Sequence, residues 1–132
     1  MKHLLVIPGR LDNLNDYISA ERTNKYRGAA MKQDNEQVVI LSIKRCLKGI
    51  HIATPVIMRY RWFEKDRRRD KDNVSSFGRK VIQDALVKTN VLKNDGWAEI
   101  DCFCDWFGVD KANPRVEVEI EEVDDWRKDI TG

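Results

Sequence analysis

With 132 residues, 42% of them hydrophobic and 35% charged, the chain is long enough for one domain that buries roughly two-thirds of its unfolded surface. That balance excludes a disordered chain, and no apolar run approaches the ~20 residues of a membrane helix. The formal net charge of +2 hides an uneven spread: residues 1–100 carry 20 basic and 12 acidic side chains, and residues 101–132 carry 4 and 10, or +8 against −6.

A basic body suits a polyanionic partner. The acidic C-terminal part is either a solvated end or a means of repelling non-specific DNA. Residues 1–9 are too short for a secretory leader, and the three cysteines, odd in number and without a CxxC, fit reduced thiols. A cytoplasmic protein with no membrane partner is therefore expected.

In chain order, residues 2–7 read as a strand ended by the Pro8-Gly9 turn. Asp12 or Asn13 caps a helix running through residues 19–22. Residues 29–47 form a longer helix with Val38, Val39, Leu41, Ile43, Cys46 and Leu47 on a broad apolar face and Gly49 as its stop. Residues 55–63 form a strand with Arg59 and Arg61 on one face and Tyr60 and Trp62 on the other. Residues 73–90 give the clearest helix, capped by Asn73 or Ser75, with Val74, Phe77, Val81 and Ala85 as its stripe. Lys93-Asn94-Asp95-Gly96 is a turn. Residues 97–107 and 115–123 are strands joined through Gly108 and Asn113-Pro114 into a terminal hairpin. Val116, Val118 and Ile120 face inward, and Glu117, Glu119 and Glu121 face water. Cys102 and Cys104 share one face and are expected in the core. Trp62, Trp97, Trp106 and Trp126 are expected there too, or at an interface between subunits. The order β-α-α-β-α-β-β describes a single α+β domain, residues 1–132, with a small mixed sheet.

The segment Arg67-Arg68-Arg69-Asp70-Lys71-Asp72-Asn73 carries the chemistry. Asp70 and Asp72 stand two apart where a strand gives way to a helix, so an extended backbone aims both the same way. Paired carboxylates suit Mg²⁺, which takes carboxylates, water and phosphate oxygens. A third carboxylate is needed, and Asp95 is the candidate. Asp84 is the competitor, but Lys80 four residues earlier makes a surface ion pair its simplest role. Lys80 could instead face the phosphate and stabilise its added charge. Arg67, Arg68 and Arg69, with Lys71 and Asn73, would hold backbone phosphates, which gives affinity and position without sequence readout. An EF-hand from Asp70 fails, because Ser75 and Val81 stand where Gly and Glu are required. There is no GxxxxGK[ST], GxSxG or HExxH.

The ordered set Arg68-Arg69-Asp70-Lys71-Asp72-Asn73, Lys80, Asp84-Ala85-Leu86 and Asn94-Asp95-Gly96 resembles the RusA-type Holliday-junction resolvases, including prophage members. The resemblance covers residues 67–97, with a weaker match at Pro8, Asn13, Asn15 and Tyr17. It implies a small homodimeric endodeoxyribonuclease that cuts four-way DNA junctions with Mg²⁺, or Mn²⁺, in recombination and repair. It implies metal binding by Asp70, Asp72 and Asp95 and a catalytic role for these three with Lys80. Here Lys80 follows Asp72 by eight residues, a longer gap than in the best-known member. The alternative is a non-catalytic DNA-binding accessory of phage recombination or replication. A third reading is a structural protein whose arginines and aspartates form surface ion pairs.

Overall fold

The computed structural model describes residues 1–125. The elements are β1 (Lys2–Pro8), α1 (Leu14–Thr23), α2 (Lys25–Cys46), β2 (Val56–Glu64), α3 (Lys71–Lys88), β3 (Ile100–Val109) and β4 (Arg115–Glu122). The result is a small α+β fold. Its four strands form one mixed sheet in the order β1-β4-β2-β3, with α2 and α3 packed on one face and α1 packed against those two helices.

Alternation builds the core. Leu5 and Ile7 of β1, Met58, Tyr60 and Trp62 of β2, and Val116, Val118 and Ile120 of β4 all point to the helices and are at most 3% exposed. They meet Val39 and Ile43 of α2 and Val74, Phe77, Val81 and Ala85 of α3. Gly78 sets how closely α3 lies on the sheet, since a Cβ there would stand 2.9 Å from the Trp62 ring. Burial pushes the Tyr60 phenol far above its usual range, and its hydroxyl accepts from the Gln83 amide at 3.1 Å.

The expected terminal hairpin does not form. β3 pairs in parallel with β2, and β4 crosses β2 to lie antiparallel between β1 and β2. Side-chain complementarity explains the placement. In the β2–β4 register Arg59 stands opposite Glu119 and Arg61 opposite Glu117. The Arg59 guanidinium reaches Glu119 at 2.8 Å and Glu121 at 2.7 Å, and Arg61 donates to Glu117 at 3.1 Å. Opposite charges directly across a strand pair stabilise that pairing. Arg115 completes the lattice by donating to Glu117 at 2.8 Å and lying 3.9 Å over the Phe63 ring.

Other boundaries move for local reasons. α2 begins at Lys25, not residue 29, because Asn24 caps it by accepting from the Arg27 N–H. α3 begins at Lys71 with Asp70 at its N-cap position. Asn73 and Ser75 therefore lie inside the helix: Asn73 accepts the Asn15 N–H at 2.8 Å, and Ser75 donates to the Lys71 carbonyl. β3 starts three residues later than expected and includes Gly108. Cys102 and Cys104 are exposed, because β3 is an edge strand and both point to the face that carries no helix. Trp62 is core, but Trp97 and Trp106 are 94% and 54% exposed. Trp126 lies outside the described residues. Among the described residues no helix is long and apolar enough to cross a membrane.

Candidate nucleic-acid interface and acidic site

The strand β2 runs into a short charged loop, residues 65–70, and α3 departs from its end. Aspartate at an N-cap position normally accepts a backbone N–H from the first turn. Asp70 does not: its side chain makes no capping bond, and it is exposed. Among the described residues its carboxylate has no hydrogen-bond or ion-pair partner. It lines a shallow cleft with Glu64, Arg67, Arg69, Lys71 and Phe107. Asp72, two residues on, lies inside α3 and not on an extended segment, so the spacing does not aim the two carboxylates the same way; it is exposed and accepts from the Ser76 hydroxyl at 2.8 Å.

The basic residues of this loop divide into two groups. Arg67 and Arg68 are exposed, and the Arg68 guanidinium lies 3.7 Å from Asp66. Lys71 is exposed and stands 5.6 Å over the Phe107 ring. These three are positioned to meet an anion. Arg69 is not. It folds inward, donates to the Leu11 carbonyl at 3.1 Å and lies 3.5 Å from Glu64, which Arg10 also holds at 2.9 Å. Burial pushes the Arg69 pKa down. Its role is to anchor the loop to the α1 approach, where Asn73 does the same through Asn15. Arg59, Arg61 and Arg115 are likewise taken by the glutamates of β4.

Asp95 does not reach Asp70 and Asp72. The Lys80 ammonium extends forward to Asp84 at 3.1 Å and meets Asp95 at 3.6 Å. Lys32 of α2 holds the other oxygen of Asp84 at 2.9 Å. Asp95 therefore sits at the level of the second half of α3. Ten or more helical residues separate that level from Asp70, about 15–20 Å along the axis. The edge strand gives the same measure. Asp95 borders Ile100 and Phe103, Asp70 borders Phe107 and Val109, and six strand residues span about 20 Å. Among the described residues no three of His, Cys, Asp or Glu gather closely enough to hold a metal ion. The donor set expected for Mg²⁺ is thus not assembled within one chain. The cause is the straight α3, which carries the chain away, and the turn after it, which delivers Asp95 to Lys80.

The Lys80 cluster is electrostatically settled. Burial works to raise the Asp84 pKa, but hydrogen bonds from Lys32 and Lys80 outweigh it and hold the carboxyl below its usual range. The hydrogen bond to Asp84, chiefly, raises the Lys80 pKa.

One polar group was not anticipated. Asp105, in the middle of β3, accepts the Trp62 indole N–H at 2.8 Å and the Arg79 guanidinium at 2.6 Å, while Arg79 lies 4.7 Å over Phe103. The residues are 43 and 26 positions apart, so the parallel pairing of β2 and β3 and the packing of α3 on the sheet bring them together.

No family model and no curated protein matches this chain.

Proposed function

We propose that the chain is a structure-selective endodeoxyribonuclease of RusA type, a cytoplasmic homodimer that hydrolyses phosphodiester bonds at four-way DNA junctions in recombination and repair and depends on Mg²⁺ or Mn²⁺. The observation that carries the reading is Asp70, an exposed carboxylate at a helix start that neither caps the helix nor pairs with a neighbour, flanked by exposed Arg67, Arg68 and Lys71. At the N-cap Asp70 still favours the helix dipole, but it makes no capping bond, and anionic backbone is the ligand that the neighbouring cations suit. The sheet's open face argues for the same side of the molecule, because its arginines are already neutralised. Arg67, Arg68 and Lys71 grip backbone phosphates, and Asp70 and Asp72 are the two carboxylates each chain offers to a cation there. A homodimer supplies the two sites that symmetrical cutting of a junction requires.

The test is cleavage of a synthetic four-way junction with Mg²⁺. Asp70→Asn is expected to abolish nicking while gel-shift affinity for the junction stays within about twofold. If Asp70→Asn and Asp95→Asn both cut at the wild-type rate, the assignment fails. The separation of Asp95 from Asp70 favours the alternative, a non-catalytic DNA-binding accessory of phage recombination or replication. Junction binding by the wild type without cleavage in either Mg²⁺ or Mn²⁺ selects it.

A further inference from the structure

Cys102 and Cys104 have no part in the site described above. Both are exposed on β3, and among the described residues neither thiol has a hydrogen-bond partner. Free cysteine is among the most buried residue types, so two bare thiols on one strand face are unusual. Their neighbours turn away from them. Arg59 stands beside Cys104 in the β2–β3 register, but its guanidinium reaches to Glu119 and Glu121 on the other side. Trp106 is next on the same face, and its ring lies against Gly108 and the Phe63 ring, 5.4 Å away between centroids.

The extended backbone decides what such a pair can hold. Residues two apart on a strand have nearly parallel Cα–Cβ bonds, so their Cα atoms and their Cβ atoms both stand about 6.5 Å apart. A disulfide needs Cβ atoms about 3.5–4.5 Å apart. β2 holds β3 in unbroken register from Cys102 to Val109, so the strand does not fold to bring the thiols into a disulfide. A cation between the two sulfurs asks less. Thiolate–metal bonds of about 2.3 Å, the zinc value, place two sulfurs up to about 4.6 Å apart, which the side chains reach by leaning about 1 Å each along the strand. Soft thiolates select Cu(I) and Zn²⁺. Zn²⁺ takes four ligands, and among the described residues no third His, Cys, Asp or Glu joins the pair. Cu(I) is satisfied by two.

We propose that Cys102 and Cys104 form a two-coordinate site for a soft monovalent cation, Cu(I), on the open face of the sheet. The site is separate from the acidic residues at the start of α3 and does not depend on the chain being a nuclease. Binding replaces two S–H bonds with two S–Cu bonds and releases two protons to solvent; no electron is transferred.

The test is anaerobic titration of the full, reduced chain with Cu(I) against the chromogenic chelator bicinchoninate. One Cu(I) per chain is expected, with two sulfur neighbours by X-ray absorption and no change in oligomeric state by light scattering. Cys102→Ser and Cys104→Ser, both at exposed positions that tolerate serine, are each expected to weaken binding by at least about a hundredfold, because the second of two linked ligands is lost. Cys46→Ser is expected to change it less than about twofold. Single variants that bind as tightly as the wild type mean that the thiols act singly and overturn the site. One Cu(I) per two chains, or a third sulfur neighbour, means that the ion bridges copies or recruits Cys46, and overturns it too. Rapid formation of a Cys102–Cys104 disulfide in the folded chain under mild oxidation overturns the geometric ground for preferring a cation.

Discussion

Asp105→Ala is a substitution whose cost is calculable from the contacts in hand. It removes the acceptor of the Trp62 indole N–H and the partner of Arg79 together. Trp62 is 2% exposed, so its N–H cannot turn to water, and a buried donor left unsatisfied costs about 1–3 kcal/mol. The Arg79–Asp105 bond is charge-assisted with both side chains about 20% exposed, which adds about 1 kcal/mol after solvent takes up part of the loss. The sum is about 2–4 kcal/mol, or a fall in Tm on the order of 10 °C for a domain of this size. Asp105→Asn keeps an acceptor for the indole and is expected to cost about half as much. Urea denaturation followed by circular dichroism measures both, and a double-mutant cycle with Trp62→Phe isolates the indole bond. An alanine variant within 0.5 kcal/mol of wild type would refute the reasoning, since it would mean that Trp62 finds another partner.

Gly78→Ala is expected to destabilise by about 1–3 kcal/mol, because the new methyl meets the immobile Trp62 ring and α3 must lift from the sheet. Its unfolding midpoint in urea reports this directly. Stability is also expected to fall in acid. The hydrogen bond from Arg59 lowers the Glu121 pKa and that from His3 lowers Glu122, while for Glu117 the bonds from Arg115 and Arg61 overcome the opposing effect of burial. Depressed folded-state values give stability that is complete above the ordinary carboxylate range, about pH 4, and is lost as pH falls through the folded values. Tm measured from pH 7 to pH 2 should drop below that range, and Glu117→Gln with Glu121→Gln should flatten the drop. Junction binding is expected to weaken steeply with salt, and Arg67→Ala or Arg68→Ala should each reduce the log–log slope by about 1, whereas Arg69→Ala should leave the slope unchanged and lower stability.

Much of the fold was legible because its signals are local. The alternation of Val116, Val118 and Ile120 located β4, and the stripe of Val74, Phe77, Val81 and Ala85 located α3. Strand order was not legible by the same means. A short link between residues 109 and 115 reads as a hairpin, and only the match of Arg59 and Arg61 to Glu119 and Glu117 reveals that β4 belongs beside β2. That signal was present in the sequence, since both sets alternate, but it becomes a pairing only when the two strands are compared. The edge position of β3 then follows, and with it the exposure of Cys102, Cys104 and Trp106. In the candidate site, the spacing of Asp70 and Asp72 suggested an extended pair, but α3 begins at Lys71 and takes Asp72 onto the helix. The inward turn of Arg69 and the capture of Asp95 by Lys80 were not legible, because both depend on the path of α3 across the sheet.

The insertion of β4 between β1 and β2 has a consequence for synthesis on the ribosome. β1 and β2 are made first and are neighbours of the same strand, yet they share no hydrogen bonds with each other. Until residues 115–122 emerge, the sheet lacks its middle, and Leu5, Tyr60 and Trp62 have no wall to complete their burial. Sheet closure therefore waits for β4 and joins residues more than a hundred positions apart, as in Lys2 opposite Glu121. Nascent chains arrested before residue 115 are expected to stay protease-sensitive throughout, with α2 and α3 gaining protection only when β4 clears the exit tunnel.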